Sequence, residues 1–148
     1  MNTRKITITK NGEATTTVTN SELETSILAH TVALSLEGGD TLALSGELGA
    51  GKTAFVKGLA EALEVTHTIT SPTFVVMKVY NIPDAKNDIT TLCHVDAYRL
   101  SSGQDLEDIG IRDYMSAPHV ITVIEWADRV KDIIPEDAIW MRFEHLGE

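Results

Sequence analysis

Apolar and polar positions alternate from the start of the chain. Ile6-Thr7-Ile8 is β-branched with a period of two, Lys10-Asn11-Gly12-Glu13 carries an Asn-Gly turn signal, and Thr15 to Val18 is β-branched again. This pattern predicts a short N-terminal hairpin. Ser21, followed three residues on by Glu24, has the spacing of a capping box and predicts a helix start. Ile27, Leu28, Val32, Leu34 and Leu36 supply its apolar positions, and Gly38-Gly39 ends it. Residues 40–45 read as a short apolar strand. Residues 52–63 have helical spacing, with Phe55, Val56, Leu59 and Leu63 facing inward. Ser71-Pro72-Thr73 interrupts the pattern. A strand is predicted over 74–80, a polar turn over 81–88 and a strand over 89–95 that ends on Asp96. Residues 106–115 read as helix or helical turns, 120–124 as a fully apolar strand ending on Glu125, and 138–143 as a last strand. Strands alternating with helices predict an α/β protein, a mixed β-sheet flanked by α-helices. The neighbouring strands at 74–80 and 89–95 suggest an antiparallel pair within it. No repeat, linker or low-complexity run divides the chain, so residues 1–148 are expected to form a single domain.

Composition narrows the function classes. Hydrophobic residues at 43% and charged residues at 23% are ordinary globular values. Acidic residues number 22 against 12 basic ones, a formal net charge of -10. A domain that grips nucleic acid unaided needs a basic face, so direct RNA or DNA binding is not expected. Cys93 is the single cysteine, which excludes an internal disulfide; within Thr91-Leu92-Cys93-His94-Val95 it reads as a buried small hydrophobe. No apolar stretch approaches the roughly 18 residues that span a membrane. The basic start Met1-Asn2-Thr3-Arg4-Lys5 has no apolar signal core behind it. A cytoplasmic protein without membrane attachment is expected.

Gly46-Glu47-Leu48-Gly49-Ala50-Gly51-Lys52-Thr53 fits the phosphate-loop pattern G-x-x-x-x-G-K-[ST] at every specified position. A strand precedes it and a helix follows, as the chemistry requires, so the sheet is expected to be P-loop NTPase-like. The glycines let successive backbone N–H groups turn inward toward phosphate oxygens, and the helix N-terminus adds partial positive charge. Lys52 is placed to reach the β- and γ-phosphates and the Thr53 hydroxyl to ligate Mg²⁺, with ATP the expected nucleotide. Glu47 is an acid inside an anion-binding loop; its side chain is expected to face solvent.

In open α/β sheets, ligands gather beyond the carboxyl ends of the strands. Asp96 and Glu125 occupy such ends. Phosphoryl transfer needs a carboxylate for the metal and a group that orients the nucleophile. Glu125, on the more apolar strand, fits the Walker B position, and Asp96 is a second catalytic or metal-associated candidate. Either acid is also placed to cap a following helix. Thr73 is either a switch-loop hydroxyl for the γ-phosphate or metal, or a turn residue. Trp126 is either a lid over nucleotide or partner, or a core tryptophan. His94 and His119 show no metal-ligand spacing and read as packing. Leu100-Ser101-Ser102-Gly103-Gln104 imitates the signature motif of ABC transporter ATPases. Ile124 stands where that family has Asp, and Gln104 is the only Gln, so the match reads as chance.

Several segments together resemble the TsaE (YjeE) family of P-loop ATPases of tRNA threonylcarbamoyladenosine synthesis. They are the phosphate loop, Ser71-Pro72-Thr73-Phe74, His94-Val95-Asp96-Ala97-Tyr98-Arg99-Leu100, Asp108-Ile109-Gly110-Ile111-Arg112-Asp113-Tyr114 and Ile124-Glu125-Trp126-Ala127. The resemblance implies that Lys52 and Thr53 bind phosphate and Mg²⁺ and that Thr73 lies in a switch-like loop. It implies a catalytic or metal-associated Asp96, a Walker B Glu125 and a functionally important Trp126. It further implies the partners TsaB and TsaD, contact with tRNA only through that complex, and ATP hydrolysis that resets a partner. Phe74 replaces the family's usual Tyr, Ala54 stands where many members have Thr, and the basic C-terminal tail of many members has no counterpart after Leu146.

A small-molecule P-loop kinase is the alternative. Such enzymes clamp the transferring phosphoryl with several arginines on a lid; only Arg4, Arg99, Arg112, Arg129 and Arg142 exist here, without an Arg-rich segment. A GTPase would need an Asn-Lys-x-Asp motif, which the chain lacks.

Overall fold

The computed structural model describes residues 3–47, 51–66 and 76–146. The N-terminal hairpin forms as the alternation predicts: β1 (Arg4–Lys10) pairs antiparallel with β2 (Glu13–Thr19). Asn11 and Gly12 both take positive φ, 53° and 81°, the handedness that matches a twisted two-stranded ribbon. Helix α1 (Glu22–Ser35) is capped by Ser21, whose Oγ accepts from the Glu24 N–H. Glu24 reaches back one residue further than a simple capping box, accepting from the Asn20 N–H at 3.1 Å.

The remaining strands are β3 (Thr41–Gly46), β4 (Met77–Lys86), β5 (Ile89–Asp96), β6 (Val120–Glu125) and β7 (Ile139–His145). They join β1 and β2 in one sheet of order β2-β1-β7-β3-β6-β5-β4. β7, β3, β6 and β5 run parallel, and the antiparallel pairs lie at the two sides. α1 and α2 (Lys52–Ala62) cover one face, where Leu42, Leu44, Phe55, Leu59, Leu92 and Phe143 are buried together. α3 (Gly103–Asp108) and the 3₁₀ turns Ile111–Asp113 and Ala127–Ile133 cover the other, over Ala43, Cys93, Val95 and Ile124. This is the expected mixed sheet flanked by helices. Among the described residues, no helix is long and apolar enough to cross a membrane.

Three predicted features differ. The apolar stripe of α1 is only in part its buried face: Leu36 is buried and Leu28 and Val32 pack against the core, but Ile27 and Leu34 are 56% and 80% exposed, while Thr25, Ala29 and Ala33 are buried. The cause is close helix packing. A Cβ on Gly58 of α2 would lie 2.9 Å from Ser26 Cα and 3.0 Å from Ala29 Cβ, so only small α1 side chains fit the seam. The polar turn expected over 81–88 is mostly strand. β4 runs on to Lys86 through a register shift after Asn81, and the turn is Asn87-Asp88, both at positive φ. β4 is an edge strand, which tolerates Pro83 and the irregular pairing, and buried Ile82 anchors it. The start of the strand predicted at Phe74 lies outside the described residues. Finally, the helical turns expected over 106–115 are present but begin earlier: α3 starts at Gly103 and ends at Asp108, and after Gly110 (φ 90°) a 3₁₀ turn follows.

Candidate functional site

The parallel register brings three strand ends together. Leu44 of β3 and Asp96 of β5 are both aligned with Glu125 of β6. Alternation along each strand puts His94, Asp96 and Glu125 on the face covered by α2. Glu125 is 4% exposed, and His94 is 1% exposed beside it. His94 Nε2 donates to Glu125 Oε2 at 2.7 Å, which corrects the reading of His94 as packing alone. The His94 tautomer with its proton on Nε2 makes that bond, and Nδ1 has no partner among the described residues. His119 instead bonds the Asp88 carbonyl through Nδ1 at the far end of β6, remote from these groups in the sheet.

Asp96 Oδ1 accepts from the Tyr98 N–H at 3.0 Å. Burial raises its carboxyl above the usual 3.8; the Tyr98 N–H works against this, Glu125 adds to it, and His94 and Lys52 oppose it. Asp96 thus bonds the backbone two residues on, whereas Glu125 bonds His94 on the neighbouring strand.

Lys52 opens α2 and is buried. Its ammonium donates to the Gly46 carbonyl at 2.5 Å and lies 3.4 Å from the centre of the Trp126 ring. Burial lowers its pKa, against the raising effect of Glu125, Asp128 and Asp96. Trp126 takes φ 59°, a left-handed conformation uncommon for a bulky residue. Its ring meets Tyr98 at 4.9 Å, and Arg129 lies 5.5 Å from it. Trp126 is therefore a wall beside Lys52, and only part of it is buried. Sequence alone assigns no role to Asp128 or Arg129, and Tyr98 enters only as part of the segment 94–100 that carries the family resemblance.

The α2 N-terminus begins at Gly51 (φ 100°) with no side-chain cap and no acid in its first turn, unlike α1 with Glu22 and Glu24. Among the described residues no side chain caps its first-turn N–H groups, an arrangement suited to an anion. Thr53 is exposed in that turn, and Glu47 is exposed as expected. Leu48, Gly49, Ala50 and Thr73 lie outside the described residues. A cleft of about 650 Å³ adjoins the loop, lined among others by Gly46, Glu47, Trp126, Asp128, Lys131 and Arg142. Among the described residues, no three His, Cys, Asp or Glu side chains form a ready-made metal cage. A few carboxylates and a hydroxyl suit Mg²⁺, which keeps waters and takes phosphate oxygens as ligands. Cys93 is buried on the opposite face, where burial pushes its thiol up to about 12.

The family model described as threonylcarbamoyl adenosine biosynthesis protein TsaE matches residues 19–148. This chain belongs to the TsaE family. Its TsaE relatives include the tRNA threonylcarbamoyladenosine biosynthesis protein TsaE of Bacillus subtilis, 35% identical over 84% of this chain and 74% of that one. The TsaE of Streptomyces coelicolor is 41% identical over 79% and 76%, and that of Treponema pallidum 42% identical over 76% and 78%. The crystal structure of Bacillus subtilis YdiB superposes with a TM-score of 0.68 at 28% identity, over 100% of this chain and 81% of that one. The TsaE match begins at the last residue of β2, so β1 and nearly all of β2 precede it.

Proposed function

We propose that this chain is an ATP-binding, slowly hydrolysing component of the tRNA N6-threonylcarbamoyladenosine modification system, working with TsaB and TsaD. The observation that carries the reading is the meeting of Lys52 and the open α2 N-terminus with Asp96 and Glu125 at adjoining strand ends. The loop N–H groups and Lys52 hold the phosphates. Thr53, Asp96 and Glu125 are the residues that would hold Mg²⁺, which neutralises charge developing on the phosphate oxygens when bound. His94 occupies Glu125 Oε2 and fixes the carboxylate's orientation, leaving Oε1 for water or metal. Lys52 exchanges the Gly46 carbonyl for a phosphate oxygen and keeps contact with Trp126. The acidic surface fits a role in which the partners, and not this chain, face the tRNA.

Steady-state phosphate release, with and without TsaB and TsaD, tests this. Slow release by the isolated chain, stimulated by the pair and lost in Lys52→Ala, Asp96→Ala and Glu125→Ala, is expected. Full turnover alone, unchanged by the partners, would overturn the complex-dependent reading. Full activity in Glu125→Ala would overturn the catalytic assignment.

A further inference from the structure

Arg4 opens β1, paired with Thr19 on one side and His145 on the other. β1 runs antiparallel to β7, so its first residue lies at the same sheet edge as the carboxyl ends of β3, β5 and β6. Strand alternation puts Arg4 on the face of Ile6, which is buried with Phe55 under α2. Arg4 is only 6% exposed. Among the described residues, neither Nε nor Nη1 has a hydrogen-bond partner. The side chain runs against the phosphate loop: a Cβ on Gly51 would lie 2.7 Å from Arg4 Cδ and 2.9 Å from Nε. The absence of that Cβ is what admits the guanidinium beside the N-terminus of α2.

A buried guanidinium with open donors is costly unless an anion pairs with it. The place it occupies is the uncapped start of an 11-residue helix without first-turn acid. The charge balance there calls for a cation. Lys52 is faced by Glu125, Asp128 and Asp96, three acids against one ammonium, before any phosphate arrives.

We propose that Arg4 is a second cation of the nucleotide site, pairing its guanidinium with a phosphate oxygen of the bound nucleoside triphosphate. This rests on the nucleotide-binding reading above. It gives the N-terminal hairpin, most of which precedes the residues matched by the family model, a direct part in ligand binding. Guanidinium geometry suits phosphate because two N–H groups can engage two oxygens at once.

The test is calorimetric titration of the full chain with Mg–ATP and with inorganic tripolyphosphate. Wild type, Arg4→Met, Arg4→Lys and Lys52→Ala are compared, with melting temperatures of each ligand-free protein. Arg4→Met is expected to weaken both ligands about 10- to 100-fold, the loss of a hydrogen bond to a charged group. Arg4→Lys should recover part of it. The ligand-free melting temperature of Arg4→Met should be equal to or above wild type, because an unpaired buried charge has been removed. Unchanged ligand affinity in Arg4→Met, with loss in Lys52→Ala, overturns the role of Arg4 and leaves the nucleotide site standing. No binding by wild type overturns the nucleotide reading itself. A lowered ligand-free melting temperature in both Arg4→Met and Arg4→Lys makes Arg4 a structural prop and also overturns the proposal.

Discussion

Replacing His94 by Leu tests the buried pair at the centre of the site. Leu has nearly the volume of an imidazole, so packing is retained and the 2.7 Å bond to Glu125 is what disappears. Both partners lie within a few per cent of complete burial, so water does not replace the lost donor. Leaving the buried Glu125 carboxylate without its hydrogen-bond donor costs about 3 kcal/mol. In a chain of this size that corresponds to a melting-temperature fall of roughly 6–12 °C. His94→Gln, which keeps an N–H donor, should cost less than half as much.

The measurement is urea unfolding of the ligand-free protein followed by circular dichroism, comparing midpoints at constant slope. A double-mutant cycle with Glu125→Met isolates the interaction. With both polar groups gone, no unpaired charge remains, and the double variant should regain most of the stability lost in His94→Leu. The coupling energy is expected at about 2 kcal/mol or more. If the two single effects add to within about 0.5 kcal/mol, the contact carries no coupling and the reasoning fails.

Asp96→Asn should melt above wild type at neutral pH. Burial makes the folded protein hold the Asp96 proton more tightly than the unfolded chain does, so its folded pKa lies above 3.8. Stability from this group is therefore greatest when it is protonated and falls as pH rises through that window. The advantage of Asn should shrink in acid; an Asn variant less stable than wild type at neutral pH would count against it. Phosphate release by the same variant should drop at least about 100-fold. Gly58→Ala should destabilise by about 1–2 kcal/mol, since its Cβ would sit 2.8 Å from Ser26 Oγ and the gain in helix propensity offsets only part of the clash. Urea midpoints equal to wild type would contradict that seam. Cys93, buried and with its thiol at about 12, should resist a maleimide in the native protein and react fully in denaturant. Rapid native labelling would mean that the β5 face opposite α2 opens readily.

Much of this arrangement is local and so was legible in the chain. The hairpin follows from period-two alternation around Asn11-Gly12. Asp96 and Glu125 stand out because each ends an apolar run. Other features depend on what lies across from a residue. Counting apolar side chains on α1 selected Ile27 and Leu34, whereas the fit against Gly58 selects Ala29 and Ala33. His94 was weighed as a metal ligand by its spacing to other histidines. The informative relation was its two-residue offset from Asp96, which puts it on the same face, next to the strand that ends in Glu125. Arg4 carries no motif, and its relation to Gly51 exists only because β1 lies beside β7 and β7 beside β3.

Glu125 and Lys52 belong to different elements, yet one residue ties them together. Trp126 leaves β6 in a left-handed conformation, which costs a bulky residue about 1–3 kcal/mol. The turn it makes carries its ring under the Lys52 ammonium, while the Glu125 carbonyl accepts from the Ala97 N–H after β5. An extended residue at 126 would continue the strand and take the ring away from Lys52. The turn therefore sets the Trp126 ring between the strand-end residue Glu125 to which it is joined and the cation that opens α2. Tyr98, two residues beyond Asp96, closes the other side of the same ring. Each of the two acids is thus followed within two residues by an aromatic, and the two aromatics meet. The Lys52 ammonium, bonded to the Gly46 carbonyl, thus lies against the residue directly joined to Glu125.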